Sequence, residues 1–371
     1  MDIGIIERVG AIGGRLALLR AVAELAPRIT AAAVARDHQG DFPAEEFDWL
    51  RAAGALAAPL PIALGGLGFG TEAAAAADTV ALLRLIGHAN LPLGRVYEGH
   101  VNAIRLVCRL GTPEQAQQAA ADAADGHLFG VWNTDPAQEP LRLEGTRLAG
   151  SKILASGAGH VTRALVTTAG EPRKLLLVRL ERGTRADLSG WTAQGMRASA
   201  TGRVSFDGIG ITAADIIGAP DAYLSQPDFS GGAWRVIAVQ LGGLDALMAE
   251  LRGGLVQRDR HHNPHQLARV GAALIAQETA ALFVRRAAEL AESAHPHAEQ
   301  VVAYVGLARI AVETACLDAM RLAQRSIGLP AFMRPAAIER ICRDLATYLR
   351  QPVPDETLAE AAAWFMEHEL P

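Results

Sequence analysis

The sequence predicts an α+β, mainly α protein in three parts: an N-terminal helical domain over residues 1–126, a middle antiparallel β domain over 127–229, and a C-terminal helical bundle over 230–371. Three observations predict this. Half of the 371 residues are hydrophobic but only 5% are aromatic, so the core must come mostly from Ala, Leu, Val and Ile, and Ala and Leu favour helices. Apolar residues recur at helical spacing before about residue 125 and again after Ser230. Between these stretches, short apolar runs are separated by Gly, Pro and charge, as strands are.

The elements follow in order. The Ala-rich run Thr71–Asp78 continues into Leu82, Leu83, Leu85 and Ile86, which give it an apolar face and mark packed helix rather than disorder. Arg163–Ala169 and Lys174–Arg179 read as strands. In Arg203–Asp207, Val204 and Phe206 alternate with polar residues, the period of a half-buried strand. Asn263-Pro264 marks a turn between two helices. Over Val301–Leu322 charge is confined to Arg309, Glu313, Asp318 and Arg321, so this helix belongs inside a bundle or at a subunit interface. Arg309 and Glu313 are four apart and share one narrow polar strip.

Composition excludes several classes. A net charge of -5 with scattered arginines argues against a nucleic-acid surface. Cys108, Cys316 and Cys342 are distant and odd in number, which fits reduced, small hydrophobes better than a disulfide or metal framework. The start, Met1–Arg8, lacks a basic residue followed by a sustained apolar run, so no export signal is expected. No stretch of about 20 apolar residues is free of charge, so no membrane span is expected and a cytoplasmic location is.

Four motifs carry a family resemblance: Asp41–Pro43, Pro61–Gly70, Arg197–Ile211 and Glu339–Asp344. In that order and at those separations, they resemble the acyl-CoA dehydrogenase superfamily of flavoproteins over nearly the whole chain. The resemblance implies a flavin between the sheet domain and the C-terminal bundle. It places Trp132–Pro136 at the strand that faces the flavin ring, with Trp132 beside it and Thr134 offering a hydroxyl. Gly150–Gly157 is similar to the family's Gly-x-Lys strand, with Ala155 and Ser156 against the flavin. Arg258 and Gln266 match residues near the adenine-diphosphate part of FAD on a neighbouring subunit, and a guanidinium suits a pyrophosphate. Gly328 keeps one glycine of the family's double-glycine turn. Arg197 and Ser199 are expected to be structural.

The departures fall at the chemistry. Acyl-CoA dehydrogenation needs a carboxylate to take the proton while flavin takes the hydride. The two positions where the family supplies it correspond here to Pro352 and Trp234. Asp355 and Glu356 lie near the first, but they also fit a helix start. Glu98, in Tyr97–His100, looks like the catalytic segment but stands far from its expected place in the chain and is read as non-catalytic. No catalytic residue is therefore assigned. His261, His262 and His265 lack the spacing and companions of a metal site.

The leading expectation is an FAD-dependent oxidoreductase acting on an acyl thioester or related substrate and passing electrons to an acceptor. The alternative is a monooxygenase of the same fold, using reduced FMN from a flavin reductase. That reading is motivated by the missing glutamate, by Ser156–Gly159 and by the histidine turn, since such enzymes often place histidine near the flavin. A non-catalytic scaffold subunit is the third. The resemblance also implies a homodimer or homotetramer.

Overall fold

The computed structural model describes residues 3–294 and 297–371. The chain begins with five helices, α1 (Ile3–Gln39), α2 (Ala44–Ala52), α3 (Ala76–Ala89), α4 (Leu91–Leu110) and α5 (Pro113–Ala124). Asn90 caps α4 through its side chain, and Thr112 caps α5 in a reciprocal box with Gln115. Of the Ala-rich run, residues Ala73–Ala75 form a single 3-10 turn before α3 begins.

Nine strands follow: β1 (Phe129–Trp132), β2 (Arg142–Glu144), β3 (Arg147–Ala149), β4 (Ser151–Ala155), β5 (Arg163–Thr167), β6 (Leu175–Arg179), β7 (Ala186–Asp187), β8 (Gly202–Ser205) and β9 (Ile216–Ile217). They form three small sheets in the orders β1-β5-β6-β9, β2-β3 and β4-β8-β7. Pairing is antiparallel throughout except for β1 with β5, where Phe129 stands opposite Arg163 and Trp132 opposite Val166 in parallel register. Every residue of β5 is buried, as expected of a strand covered on both faces.

The helices then return as α6 (Asp228–Gly231), α7 (Trp234–Gln257), α8 (Pro264–Ala291), α9 (Ala298–Ile327), α10 (Ala337–Tyr348) and α11 (Pro354–Phe365). Asn263 caps α8 and Pro264 opens it, so the expected turn is an N-terminal signal in full. Gly328 ends α9 with φ 76° and ψ -150°, a conformation open essentially to glycine alone. The retained glycine thus has a local structural duty.

Two motifs far apart in the chain meet. Asp344 accepts the backbone N–H of Met196 at 2.6 Å, and Arg343 bonds Glu339, Asp37 and the carbonyl of Gln194. A Cβ at Gly195 would lie 2.0 Å from the Arg343 carbonyl oxygen, so the contact requires glycine. The Glu339–Asp344 motif is therefore a clamp holding α10 and α1 against the turn that leads into Arg197–Ile211.

Two helices, α8 and α9, are long and apolar enough to cross a membrane by length and composition, although charges interrupt both. In α9 half of the apolar stretch is buried within the protein, whereas α8 buries 17% of its own and leaves Leu267, Leu274, Ile275 and Leu282 exposed. Cys316 and Cys342 are buried thiols and Cys108 is half-buried; none is in a disulfide.

Candidate functional site

Between the sheets, α4, α7 and the segment after α10 lie two cavities that share a wall. One, of about 420 Å³, is lined by Thr134, Ser156, Trp191, Ser199, Thr201 and Tyr348, among others. The other, of about 360 Å³, runs along α4. Arg95, Thr134, Leu154, Val236 and Gln351 border both. A third cavity of about 410 Å³ continues from the first past Trp191 and Thr201 to Arg197 and Arg334.

Local chemistry explains why Thr134 and Ser156 face one space. Trp132 donates its indole N–H to the Ser156 carbonyl at 3.0 Å, tying the end of β1 to the end of β4. Lys152, fully buried in β4, donates to the Asn133 carbonyl and to Asp135 at 2.8 Å. The backbone of Ile153 bonds the Thr134 carbonyl. The lysine of the Gly-x-Lys strand thus anchors the loop that presents Thr134. Burial depresses the Lys152 pKa, and the ion pair with Asp135 opposes that shift. Ser156 continues into a hydroxyl chain, at 3.1 Å to Thr201 and from there 2.7 Å to Ser199. Ala155 is buried behind it.

Strain collects here. Leu154 at φ 53° and Met196 at φ 56° are left-handed without being glycine. Leu154 nonetheless stands 57% exposed, at the junction of the two cavities and within the bulge of β4. Non-glycine strain of this kind clusters at ligand sites. Tyr348 adds a buried hydroxyl with no hydrogen-bond partner among the described residues, beside the first cavity. Burial also raises its pKa. Apolar walls, a hydroxyl edge and an unsatisfied phenol together fit a flat heteroaromatic group with polar edges.

The second cavity has Glu98 in its wall. That carboxylate is 1% exposed and borders the cavity, where Arg95 meets it at 2.6 Å and the Asn102 amide donates to its other oxygen. Although Glu98 is far along the chain from the sheet residues that line the same cavity, it is brought there by α4. Tyr97 and His100 are on its other face: Tyr97 donates to the Ala55 carbonyl, and His100 bridges the Leu56 carbonyl at 2.8 Å and the Phe129 N–H at 3.1 Å. Accepting from Phe129 at Nδ1 leaves the proton on Nε2, and burial lowers the His100 pKa to about 4. The readable signal was the polar stripe Arg95, Glu98, Asn102, Arg105 and Arg109, spaced by three and four in an otherwise apolar helix.

Other candidates fall away from this space. Pro352 lines the second cavity, so one of the two expected base positions is at the site without a carboxylate. Trp234, the other, is buried and donates to Glu292. Asp355 and Glu356 stand exposed in the first turn of α11, the helix-start arrangement. Arg258 donates to the Gly254 carbonyl, and Gln266 is buried next to Arg269. Arg258 caps the far end of α7, roughly 35 Å from Trp234 by helical rise, Gln266 is in the first turn of α8 that follows, and Gly328 lies next to Ile327, which meets α7 at Gly254. Within one chain these three residues do not join Thr134 and Ser156. The His261–His262 turn is equally distant, so it offers no histidine to this chain's own cavities. Among the described residues, no group of His, Cys, Asp and Glu could hold a metal ion.

Residues 15–127 match the family described as acyl-CoA dehydrogenase, N-terminal domain. No curated protein matches the chain. Among solved structures, KijD3 in complex with dTDP aligns at 22% identity with a TM-score of 0.82, covering 95% of this chain and 97% of that one. Methanesulfinate monooxygenase MsuC from Pseudomonas fluorescens aligns at 22% and 0.81 over the same shares. TdsC from Paenibacillus sp. A11-2, solved with FMN and indole and elsewhere described as a dibenzothiophene monooxygenase, aligns at 21% and 0.77, covering 95% and 98%. These neighbours are oxygenating enzymes where named by activity, and FMN is the flavin named with them. At 21–22% identity they establish a shared fold, and fold alone does not separate a monooxygenase from an FAD-dependent dehydrogenase. The motifs that carried the resemblance serve the fold common to both, which is why they did not separate the two chemistries. Residues 15–127 thus match the N-terminal domain of the acyl-CoA dehydrogenase family, and the chain as a whole shares its fold with these solved structures.

Proposed function

We propose that this protein is a flavin-dependent monooxygenase that receives reduced FMN from a separate reductase and oxidises a small organic molecule in the cavity along α4. The observation that carries the reading is Pro352 in the cavity wall, where a dehydrogenase would present its base. Glu98 is the carboxylate nearest that role, but Arg95 and Asn102 hold both its oxygens. The oxygenating neighbours support the same reading.

When bound, reduced flavin supplies the electrons that activate oxygen. The chain's own residues do the rest. Thr134, Ser156 and the Tyr348 hydroxyl would hydrogen-bond the polar edge of the ring. Leu154, Val236 and Trp191 would cover its faces and exclude water. Arg197 and Arg334, in the third cavity, would hold the phosphate, since a guanidinium matches phosphate oxygens in pairs. Among the described residues, the Arg197 side chain makes a long bond to the His38 carbonyl and Arg334 a 3.9 Å pair with Glu339, so both are weakly held. Arg258, Gln266 and Gly328 would serve the flavin of a second copy, and the exposed leucines of α8 would pack in that homodimer or homotetramer.

The reaction of oxygen with reduced FMN tests this directly. Mixed with the protein, reduced FMN should release peroxide more slowly than free reduced FMN does. No acyl-CoA should bleach bound oxidised flavin without oxygen. Anaerobic bleaching by an acyl-CoA would return the protein to the dehydrogenases.

A further inference from the structure

Along the second cavity runs an alternating chain of charge that the flavin chemistry does not use, with Arg105, Arg109, Asp228 and Arg235 in the wall and Glu292 behind it. Arg109 meets Asp228 at 2.9 Å, Asp228 meets Arg105 at 3.2 Å, Arg105 meets Glu292 at 3.3 Å, and Glu292 meets Arg235 at 2.8 Å. Three guanidinium groups thus share two carboxylates, and the neighbouring Arg95–Glu98 pair is neutral by itself. Arg105, Arg235 and Glu292 are all at least nine-tenths buried. The buried Arg105 and Arg235 balance Asp228 and Glu292, so the surplus positive charge is that of Arg109, and an anion at its guanidinium would complete the chain. Burial and the like charge of Arg235 together lower the Arg105 pKa to about 10, despite its two carboxylate partners.

Position adds meaning to the surplus. Arg95 borders both cavities, whereas Arg105 and Arg109 border only the second, ten and fourteen residues further along α4. The helical rise puts Arg105 about 15 Å from Arg95. Arg109 is half exposed at that end, which makes it the mouth. Between mouth and junction, Leu106, Val131, Ile153, Tyr223 and Val236 provide apolar wall.

We propose that the substrate is an amphipathic organic anion, its carboxylate, sulfonate or phosphate head at Arg105 and Arg109 and its apolar body directed toward Leu154 and the flavin cavity. Oxidation then falls at the end of the molecule remote from the charge. This substrate class rests on the assignment of the second cavity as the substrate site, but the anion site itself does not need flavin.

Calorimetric titration of the flavin-free protein with 1-hexanesulfonate, hexanoate, 1-hexanol and sodium sulfate tests it. Both amphipathic anions should bind about tenfold or more tightly than hexanol, and sulfate should bind more weakly than hexanesulfonate. Arg109→Gln should abolish most of the preference, at a partly exposed position that folding tolerates. Asp228→Asn should tighten anion binding, a gain that misfolding does not imitate. Equal affinity for hexanol and hexanesulfonate, sulfate binding as tight as hexanesulfonate, or anion affinity unmoved by both variants would overturn the proposal. A protein that prefers the anions yet binds no flavin would keep this site and reject the monooxygenase.

Discussion

The Trp132 indole N–H is bonded to the Ser156 carbonyl at 3.0 Å, and this one bond fixes the geometry of the candidate flavin cavity. It joins the ends of β1 and β4, strands that belong to different sheets. Beyond it, Thr134 and Ser156 open on the same space. Trp132 also packs edge-on against Phe206 in the β core, so the strand ends are held by packing as well as by the bond.

Trp132→Phe keeps the packing and removes the donor. It should lower stability by about 1 kcal/mol, because a half-buried carbonyl loses its partner. FMN affinity should fall as the two strand ends loosen. Urea unfolding and fluorescence titration measure the two effects separately.

Tyr348→Phe has the opposite sign for stability. Its hydroxyl is buried and has no partner among the described residues, so removing it should leave stability unchanged or raise it by about 1 kcal/mol. If the hydroxyl serves the flavin ring, affinity for reduced FMN should drop about tenfold in the same variant. A variant that is less stable but binds flavin normally would assign Tyr348 to packing alone.

Glu98→Gln leaves Arg95 facing a neutral amide. Arg95 is partly exposed, so the expected loss is about 2 kcal/mol, below that of a fully buried pair. Oxidised FMN should still bind, because Glu98 borders the second cavity only. Thermal or urea unfolding alongside FMN titration tests both halves.

Stability should decline as pH falls from 6.5 toward 4. The His100 pKa is lowered by burial to about 4, against 6.5 for the free side chain. Above pH 6.5 neither state is protonated and the site has no pH dependence. Below it the unfolded chain binds a proton that the folded site refuses, and the full effect is about 3 kcal/mol once pH reaches the folded value. His160, stacked on Phe42 and also lowered to about 4 by burial, acts in the same direction. Asp344 acts in the opposite direction, since burial raises its carboxyl to about 6 and the folded state gains a proton first. Two histidines outweigh one aspartate. Urea midpoints at pH 7, 5.5 and 4.5 should fall in that order, and a flat series would contradict the buried, neutral His100.

The order of helical, sheet and helical parts was legible because each region has its own hydrophobic period. Asp355 and Glu356 were legible too, as acids in a first turn. The place of Glu98 was not, because a 20-residue helix carries it to the wall of the second cavity and chain order alone does not show where that helix runs. The stripe of arginines on α4 was readable but its partners were not: Asp228, Glu292 and Arg235 come from α6, the end of α8 and α7, and no local spacing reveals a charge chain built from four helices. The Glu339–Asp344 motif was conspicuous and yet says little of activity, since its charges clamp α10 to α1 and to the turn at Met196.

Anaerobic titration of the purified protein with reduced FMN and, in parallel, with FAD tests the central claim most directly. Reduced FMN should bind about tenfold or more tightly than FAD, because Arg197 and Arg334 in the wall of the third cavity would hold a single phosphate. Protein that binds FAD more tightly than reduced FMN, and whose flavin an acyl-CoA then bleaches, would contradict it.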